Sequence, residues 1–277
     1  MSSAATTPHT FAGTDLAVHP LCLGGNVFGW TADERDSFEV LDAYADAGGN
    51  FIDTADVYMA KVEGKSGGES ERMIGRWLER RGNRDQIVVA TKVGKLPGLD
   101  GLSPATVGTA VERSLERLGV DCVDLLYAHA DDASTPIEDT LGAFGTLIEA
   151  GKVRYVAASN FSAERLGESL RVAEREGLPR YVALQPLYNV MERPAYEDAL
   201  RAVCEREGLA CLPYYGLASG FLTGKFRGGS DAVDTKRGGP RQDYSGERGE
   251  RVLDALDDLA SAHEVRPAAV ALAWLRA

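Results

Sequence analysis

The residues that could do chemistry in this chain begin with an acid and a phenol, Asp53 and Tyr58, in the stretch Phe51-Ile52-Asp53-Thr54-Ala55-Asp56-Val57-Tyr58. Asn50-Phe51-Ile52 reads as a buried strand, and the acid follows where the apolar run stops. The phenol lies in a polar loop that continues through Gly64, Gly67 and Gly68. A carboxylate at a strand end and a phenol on the next loop suit acid–base chemistry, if a cation lies close enough to lower the phenol's pKa. Taken alone, these residues are better explained as a loop-capping Asp and a packed Tyr. The balance shifts because other apolar runs also end in polar residues: Gly24-Gly25-Asn26, Lys92, His129, Ser159-Asn160, Gln185 and Tyr214.

The elements that must position these residues follow a cycle of helix, glycine, strand and polar residue. Thr31-Ala32-Asp33-Glu34 has capping-box spacing and opens a helix with Phe38, Leu41 and Tyr44 on one face. A second helix is expected from Glu69 to Arg81, stopped by Gly82, before the strand Gln86 to Lys92. Ser103-Pro104 starts the next, which ends at Gly119 before the strand Cys122 to His129. Thr135-Pro136-Ile137-Glu138 combines capping box and proline, and its helix ends at Gly151. Ser162 caps a helix that ends at Gly177, and Arg193-Pro194 opens one that ends at Gly208, before the strand Leu209 to Tyr214. Glycine suits each helix end because the left-handed cap penalises a Cβ. Seven strands separated by helices, with no break in composition, predict one domain over 1–277 built on a parallel sheet. An open doubly wound sheet is an alternative; regular units without a GxGxxG turn favour a closed (β/α)8 barrel. In such a barrel the strand C-termini share one face, where active sites are found, so the polar strand ends converge.

Composition narrows the function. With 277 residues, 44% of them hydrophobic, the chain can bury a large core, and no apolar run approaches a membrane span. A formal charge of −12 argues against nucleic acid and anionic membrane as partners. The N-terminal residues lack a basic head and an apolar run, so no signal peptide is read there. Cys22, Cys122, Cys204 and Cys211 show no metal-binding spacing. They are expected to be buried free thiols in a reducing cytoplasm, with no metal site.

The chain resembles the aldo-keto reductase superfamily, nearest its bacterial and potassium-channel β-subunit-like branches. The resemblance is carried by Leu23-Gly24-Gly25, Asp53-Thr54-Ala55-Asp56-Val57-Tyr58, Gly68-Glu69-Ser70-Glu71, Thr91-Lys92, Asp124-Leu125-Leu126-Tyr127-Ala128-His129, Ser159-Asn160, Gln185-Pro186-Leu187-Tyr188-Asn189 and Gly220-Phe221-Leu222-Thr223-Gly224-Lys225. It implies a (β/α)8 TIM barrel that reduces a small-molecule aldehyde or ketone with NADP(H), through a catalytic tetrad falling on Asp53, Tyr58, Lys92 and His129. Tyr58 would donate the proton if Lys92 brings its pKa from about 10 toward neutrality. Asp53 would hold Lys92, and His129 would polarise the carbonyl.

The resemblance also places the cofactor. Ser159, Asn160 and Gln185 would hold the carboxamide and Tyr214 would stack on the ring. Leu217, Gly220, Leu222 and Lys225 would follow the pyrophosphate, with Gly25 and Asn26 at the first strand end. Trp30, Phe28, Met59 and Tyr188 are candidates to line the substrate pocket, and the irregular stretch 226–248 reads equally as a lid over the cofactor or a surface loop.

Three departures stand out: an insertion from Met59 to Gly67, Tyr215-Gly216 in place of Ser-Pro, and a helix from Pro267 that runs into Ala277. The last implies a chain lacking the family's eighth strand and final helix, with the basic residues that grip the 2′-phosphate. Lys225, Arg227, Lys236 and Arg237 are then the available cations, so weak binding with little preference for NADPH over NADH is expected of a chain ending there. Two other readings stay open: a cofactor-binding regulatory subunit with vestigial activity, and, more weakly, an aldolase using Lys92 as a Schiff base. The reading is compatible with an oligomer, and with plain aldehydes, methylglyoxal-like toxins and sugar-nucleotide or polyketide-type ketones as substrates.

Overall fold

The computed structural model describes residues 7–227, 244 and 246–277. Most of the stretch read as lid or loop, with Lys236 and Arg237, lies outside the described residues. Two compact units are present, one of Met1–Leu184 with Val203–Ala210 and one of Gln185–Ala202 with Cys211–Ala277.

In chain order the repeating elements are β1 (Leu23–Gly24), α1 (Glu34–Asp46), β2 (Phe51–Asp53), α2 (Glu69–Arg81), β3 (Val88–Val93), α3 (Pro104–Leu118), β4 (Val123–Ala128), α4 (Ile137–Glu149), β5 (Val153–Ser159), α5 (Ala163–Glu176), β6 (Tyr181–Gln185), α6 (Pro194–Glu197), α7 (Leu200–Glu207) and β7 (Ala210–Cys211). One sheet joins these strands in the order β7-β6-β5-β4-β3-β2-β1. Neighbours from β1 to β5 pair parallel. Every residue of β2 and β4 is buried, because helices cover a parallel sheet and its strands then read as continuous apolar runs. Register sets Asp53 opposite Ala90 and Lys92 opposite Tyr127. The N–H of His129 donates to the carbonyl of Val93 at 3.0 Å. Three strand ends therefore finish side by side.

Helix ends follow the expected chemistry at most positions. Ser103 Oγ accepts from the N–H of Thr106 and Ser162 Oγ from that of Arg165. Gly82, Gly119 and Gly177 take the left-handed conformation that closes α2, α3 and α5. Four expectations are corrected. Asp33, not Thr31, caps α1, its carboxylate accepting from the N–H of Asp36. No capping box forms at α4, because the Thr135 hydroxyl donates instead to Asp132 at 2.7 Å. The helix expected from Arg193 to Gly208 forms as α6 and α7, which lets the Tyr196 ring pack 4.8 Å from that of Tyr188. The last strand is only Ala210–Cys211, with Tyr214 joined by a single bridge to Leu187; Pro213 brings no N–H for a ladder.

Two small hairpins were not expected: His9–Thr10 with Ala17–Val18, and Lys95–Leu96 with Leu99–Asp100. The second unit adds a 3-10 turn at Ala218–Thr223, α8 (Glu247–Ala262) and α9 (Pro267–Trp274), around a core of Met191, Phe221, Leu222, Tyr244, Leu253 and Leu256. All four cysteines are free, but only Cys204 is buried; Cys22 and Cys122 just precede strands and Cys211 lies in the short β7, so all three are half-buried. Among the described residues no helix is long and apolar enough to cross a membrane.

Candidate active site

Lys92 is the centre of the site in the first unit. It is 1% exposed, and all three of its ammonium hydrogens have acceptors. Nζ donates to Asp53 Oδ2 at 2.5 Å, to the carbonyl of Thr54 at 2.8 Å and to the Tyr58 hydroxyl at 3.0 Å. The Tyr58 hydroxyl also lies 3.5 Å from Asp53 Oδ2. The rings of Tyr58 and His129 meet edge to face, with centroids 6.3 Å apart. The four residues singled out in the sequence are thus brought together at the ends of β2, β3 and β4. Thr54 joins them through its carbonyl, a contact that carries no sequence signal because every residue has that group.

Electrostatics corrects one expectation. Lys92 does not bring the Tyr58 phenol toward neutrality: burial pushes its pKa up to about 12, and the nearby Lys92 offsets only part of this because Asp53 counters its charge. Tyr58 therefore holds its proton at neutral pH. For Lys92, burial opposes the charge, but Asp53 and Tyr58 outweigh it and keep the ammonium above its usual range. Burial first, then the cations Lys92 and Lys95, lower His129 to about 3, so its imidazole is neutral. Its Nδ1 is buried without a hydrogen-bond partner.

Surrounding groups hold this geometry. The Gly25 N–H donates to the Asp53 carbonyl at 2.7 Å, and the Ser70 hydroxyl to the Gly25 carbonyl at 2.7 Å. A Cβ on Gly25 would sit 2.8 Å from Ser70 Oγ, which explains the glycine. Asn160 adopts φ 57° and donates to the His129 carbonyl at 2.8 Å and to Ser159 Oγ at 3.0 Å. Asn26, next to Gly25 in the chain, is half-buried. Of the pocket candidates, Trp30 is half-buried, whereas Met59 and Phe28 are buried and belong to the core. A wide groove in this unit runs along α2 and α3, lined among others by Arg72, Gly75, Arg113, Arg117 and Arg154, and none of the four central residues lines it.

The remaining candidates belong to the second unit. Gln185 is buried and the Tyr214 N–H donates to the Pro186 carbonyl at 2.9 Å. Tyr215, Ala218, Ser219 and Gly220 all have positive φ, with Ser219 and Gly220 consecutive at 57° and 91°. These left-handed residues close tight backbone turns, in which the N–H of Ala218 donates to the Tyr215 carbonyl at 2.7 Å and that of Gly220 to the Leu217 carbonyl at 2.9 Å. A Cβ on Gly220 would lie 3.0 Å from Lys225 Nζ, so the ammonium sits over the same backbone. The cation that could meet a phosphate here is the Lys225 ammonium. Leu222 contributes only backbone, since its side chain is in the core. Arg227 is engaged by Glu250, Asp254 and Asp257 and is not a free phosphate ligand. Tyr188 donates its hydroxyl to Glu197. Among the described residues no group of His, Cys, Asp and Glu could hold a metal ion.

Comparison with known proteins relates the chain to one family. The model of the Aldo/keto reductase family matches residues 20–277. Aldo-keto reductase str7 of Strobilurus tenacellus is 36% identical over 256 residues, covering 90% of this chain and 71% of that protein. Aldo-keto reductase yakc [NADP(+)] of Schizosaccharomyces pombe is 32% identical, covering 92% of this chain and 75% of its own. Protein tas of Escherichia coli is 32% identical, covering 97% and 85%.

Proposed function

The chain belongs to the aldo/keto reductase family of oxidoreductases, with the α/β fold of the (β/α)8 barrel, and on that premise we propose that it reduces an aldehyde or ketone to an alcohol with NADP(H). The carrying observation is the buried Lys92 with its ammonium on Asp53 and Tyr58 together. The bound nicotinamide would supply hydride, which no side chain of the protein can.

The remaining chemistry falls to this chain's own residues. Tyr58 gives its proton to the carbonyl oxygen, and the phenolate left behind faces the Lys92 ammonium at 3.0 Å. The high proton affinity of the resting phenol means that this charge must be met as it forms, and Lys92 is held in place for that by Asp53 and Thr54. Neutral His129 serves as a hydrogen-bond donor to the same oxygen without carrying charge of its own. Ser159, Asn160 and Gln185 would hold the carboxamide, Tyr214 the ring, and Leu217 to Lys225 the pyrophosphate. The Lys225 ammonium lying over the Gly220 backbone supports the last of these. NADP(H) rather than NAD(H) is favoured by the cofactor in yakc's name.

Tyr58→Phe tests the reading. Loss of the general acid should lower reduction of a reactive aldehyde about 10²–10⁴-fold, while quenching of tryptophan fluorescence still reports cofactor binding. Unchanged turnover would remove Tyr58 from its role.

A further inference from the structure

Beside the Lys92 cluster lies a buried titratable group that proton transfer from Tyr58 does not use. Asp56 is 0% exposed, in the loop between β2 and Tyr58, and its N–H donates to the Lys92 carbonyl at 3.2 Å, which pins the residue to β3. Neither carboxyl oxygen meets a side-chain donor. Its neighbour Glu71, equally buried on α2, accepts from the Thr91 hydroxyl at 2.6 Å and from Arg117 of α3 at 2.5 Å. The charged groups facing Asp56 are therefore Glu71 from α2, Arg117 from α3 and Lys92 from β3. Arg117 and Lys92 already have carboxylate partners of their own, in Glu71 and Asp53. A carboxyl in that position, with only the backbone N–H of Val57 to favour its charge and a second carboxylate beside it, is better neutral than charged.

We propose that Asp56 is a buried proton store and a positioning residue for proton transfer. Protonated, it leaves the charge of Lys92 available to the developing phenolate of Tyr58. Ionised, it places a second negative charge behind Lys92 and holds the proton on Tyr58. This rests on the reductase reading above. Burial first and Glu71 second raise the carboxyl to about 7, with Arg117, the Val57 N–H and Lys92 pulling the other way, so the change of state falls in the neutral range. Reduction should then be faster below that range than above it.

The test compares the unmodified protein with Asp56→Asn, which is neutral at every pH. Reduction of an aldehyde by the unmodified protein should fall about tenfold from pH 6 to pH 8.5, the effect of one pKa unit on the phenol, and the variant should lack that limb. Melting supplies a readout independent of turnover. A carboxyl whose folded pKa exceeds its unfolded one loses stability as pH rises from about 4 to 7, so the variant should gain on the unmodified protein across that window and hold the gain above it. An infrared band of a protonated buried carboxyl that fades through neutral pH in the unmodified protein gives the same answer if the variant does not fold. A melting difference independent of pH, or no such band, overturns the proton store; a limb that persists in Asp56→Asn overturns its coupling to Tyr58. Absence of turnover in the unmodified protein would sink the reductase reading instead, while the melting difference still decides whether Asp56 holds the proton.

Discussion

Lys92 and Asp53 are tolerable inside the protein only because they face one another. Removing one partner leaves the other charged and buried, which typically costs about 3–5 kcal/mol, whereas removing both can be nearly neutral. Asp53→Asn should therefore lower stability by about that amount in urea titrations at pH 7, and Asp53→Leu with Lys92→Met should recover most of it. Equal losses in the single and double variants would show that the pair is not what holds the strand ends together. At His129 the sign is opposite to that at Asp56. Its folded pKa of about 3 lies below the ordinary 6.5, so the unfolded chain binds the extra proton, and stability is lost as pH falls through that window. The His129 ring resonances should stay flat between pH 5 and 8, and a titration in that range would contradict a neutral hydrogen-bond donor.

At the scale of elements, the seam between α2 and α3 depends on one missing side chain. A Cβ at Gly75 would lie 2.6 Å from the Leu118 carbonyl oxygen and 2.8 Å from that of Arg117, backbone atoms that cannot swing aside. Alanine is the better helix former by about 1 kcal/mol, yet overpacking costs about 1–3 kcal/mol, so steric conflict should win. Gly75→Ala is expected to lower the denaturation midpoint. Gly108→Ala, in α3 where nothing lies within 4 Å of the added Cβ, should raise stability by up to about 1 kcal/mol. Opposite signs at two helical glycines would separate packing from propensity. The same seam holds Arg117 against Glu71, so Gly75→Ala should also disturb the pH response assigned to Asp56.

For the whole molecule, the dominant electrostatic fact is a net charge of −12. Many surface arginines are paired, among them Arg81 with Asp42 and Arg175 with Glu138, but exposed pairs contribute little. Self-repulsion of the excess carboxylates should outweigh them. Raising ionic strength from about 0.01 to 0.15 M shortens the screening length from about 30 to 8 Å, and the melting temperature should rise by a few degrees, about 2–4 °C for each kcal/mol recovered. A fall would mean that the surface pairs carry more stability than their exposure implies.

What the sequence alone determined was the cycle of elements and the identity of the strand-end residues. Polar groups such as Asp53, Lys92 and His129 interrupt long apolar runs, and glycines such as Gly82, Gly119 and Gly177 stop helices, by rules that act over a few residues. The four residues that the fold gathers around Lys92 were legible for the same reason, together with the motif around Tyr58. What only the tertiary structure decided was the charge state of these groups. Burial and the balance of neighbours distant in the chain made the Tyr58 phenol less acidic, contrary to the expectation from Lys92 alone, because Asp53 was already there to counter it. The isolation of Asp56 is likewise invisible in its motif, since it depends on where Glu71 and Arg117 direct their hydrogen bonds. Spacing along a chain reports which groups can meet; a pKa depends on the sum of all charges and the solvent excluded around them, and that sum exists only in the folded state.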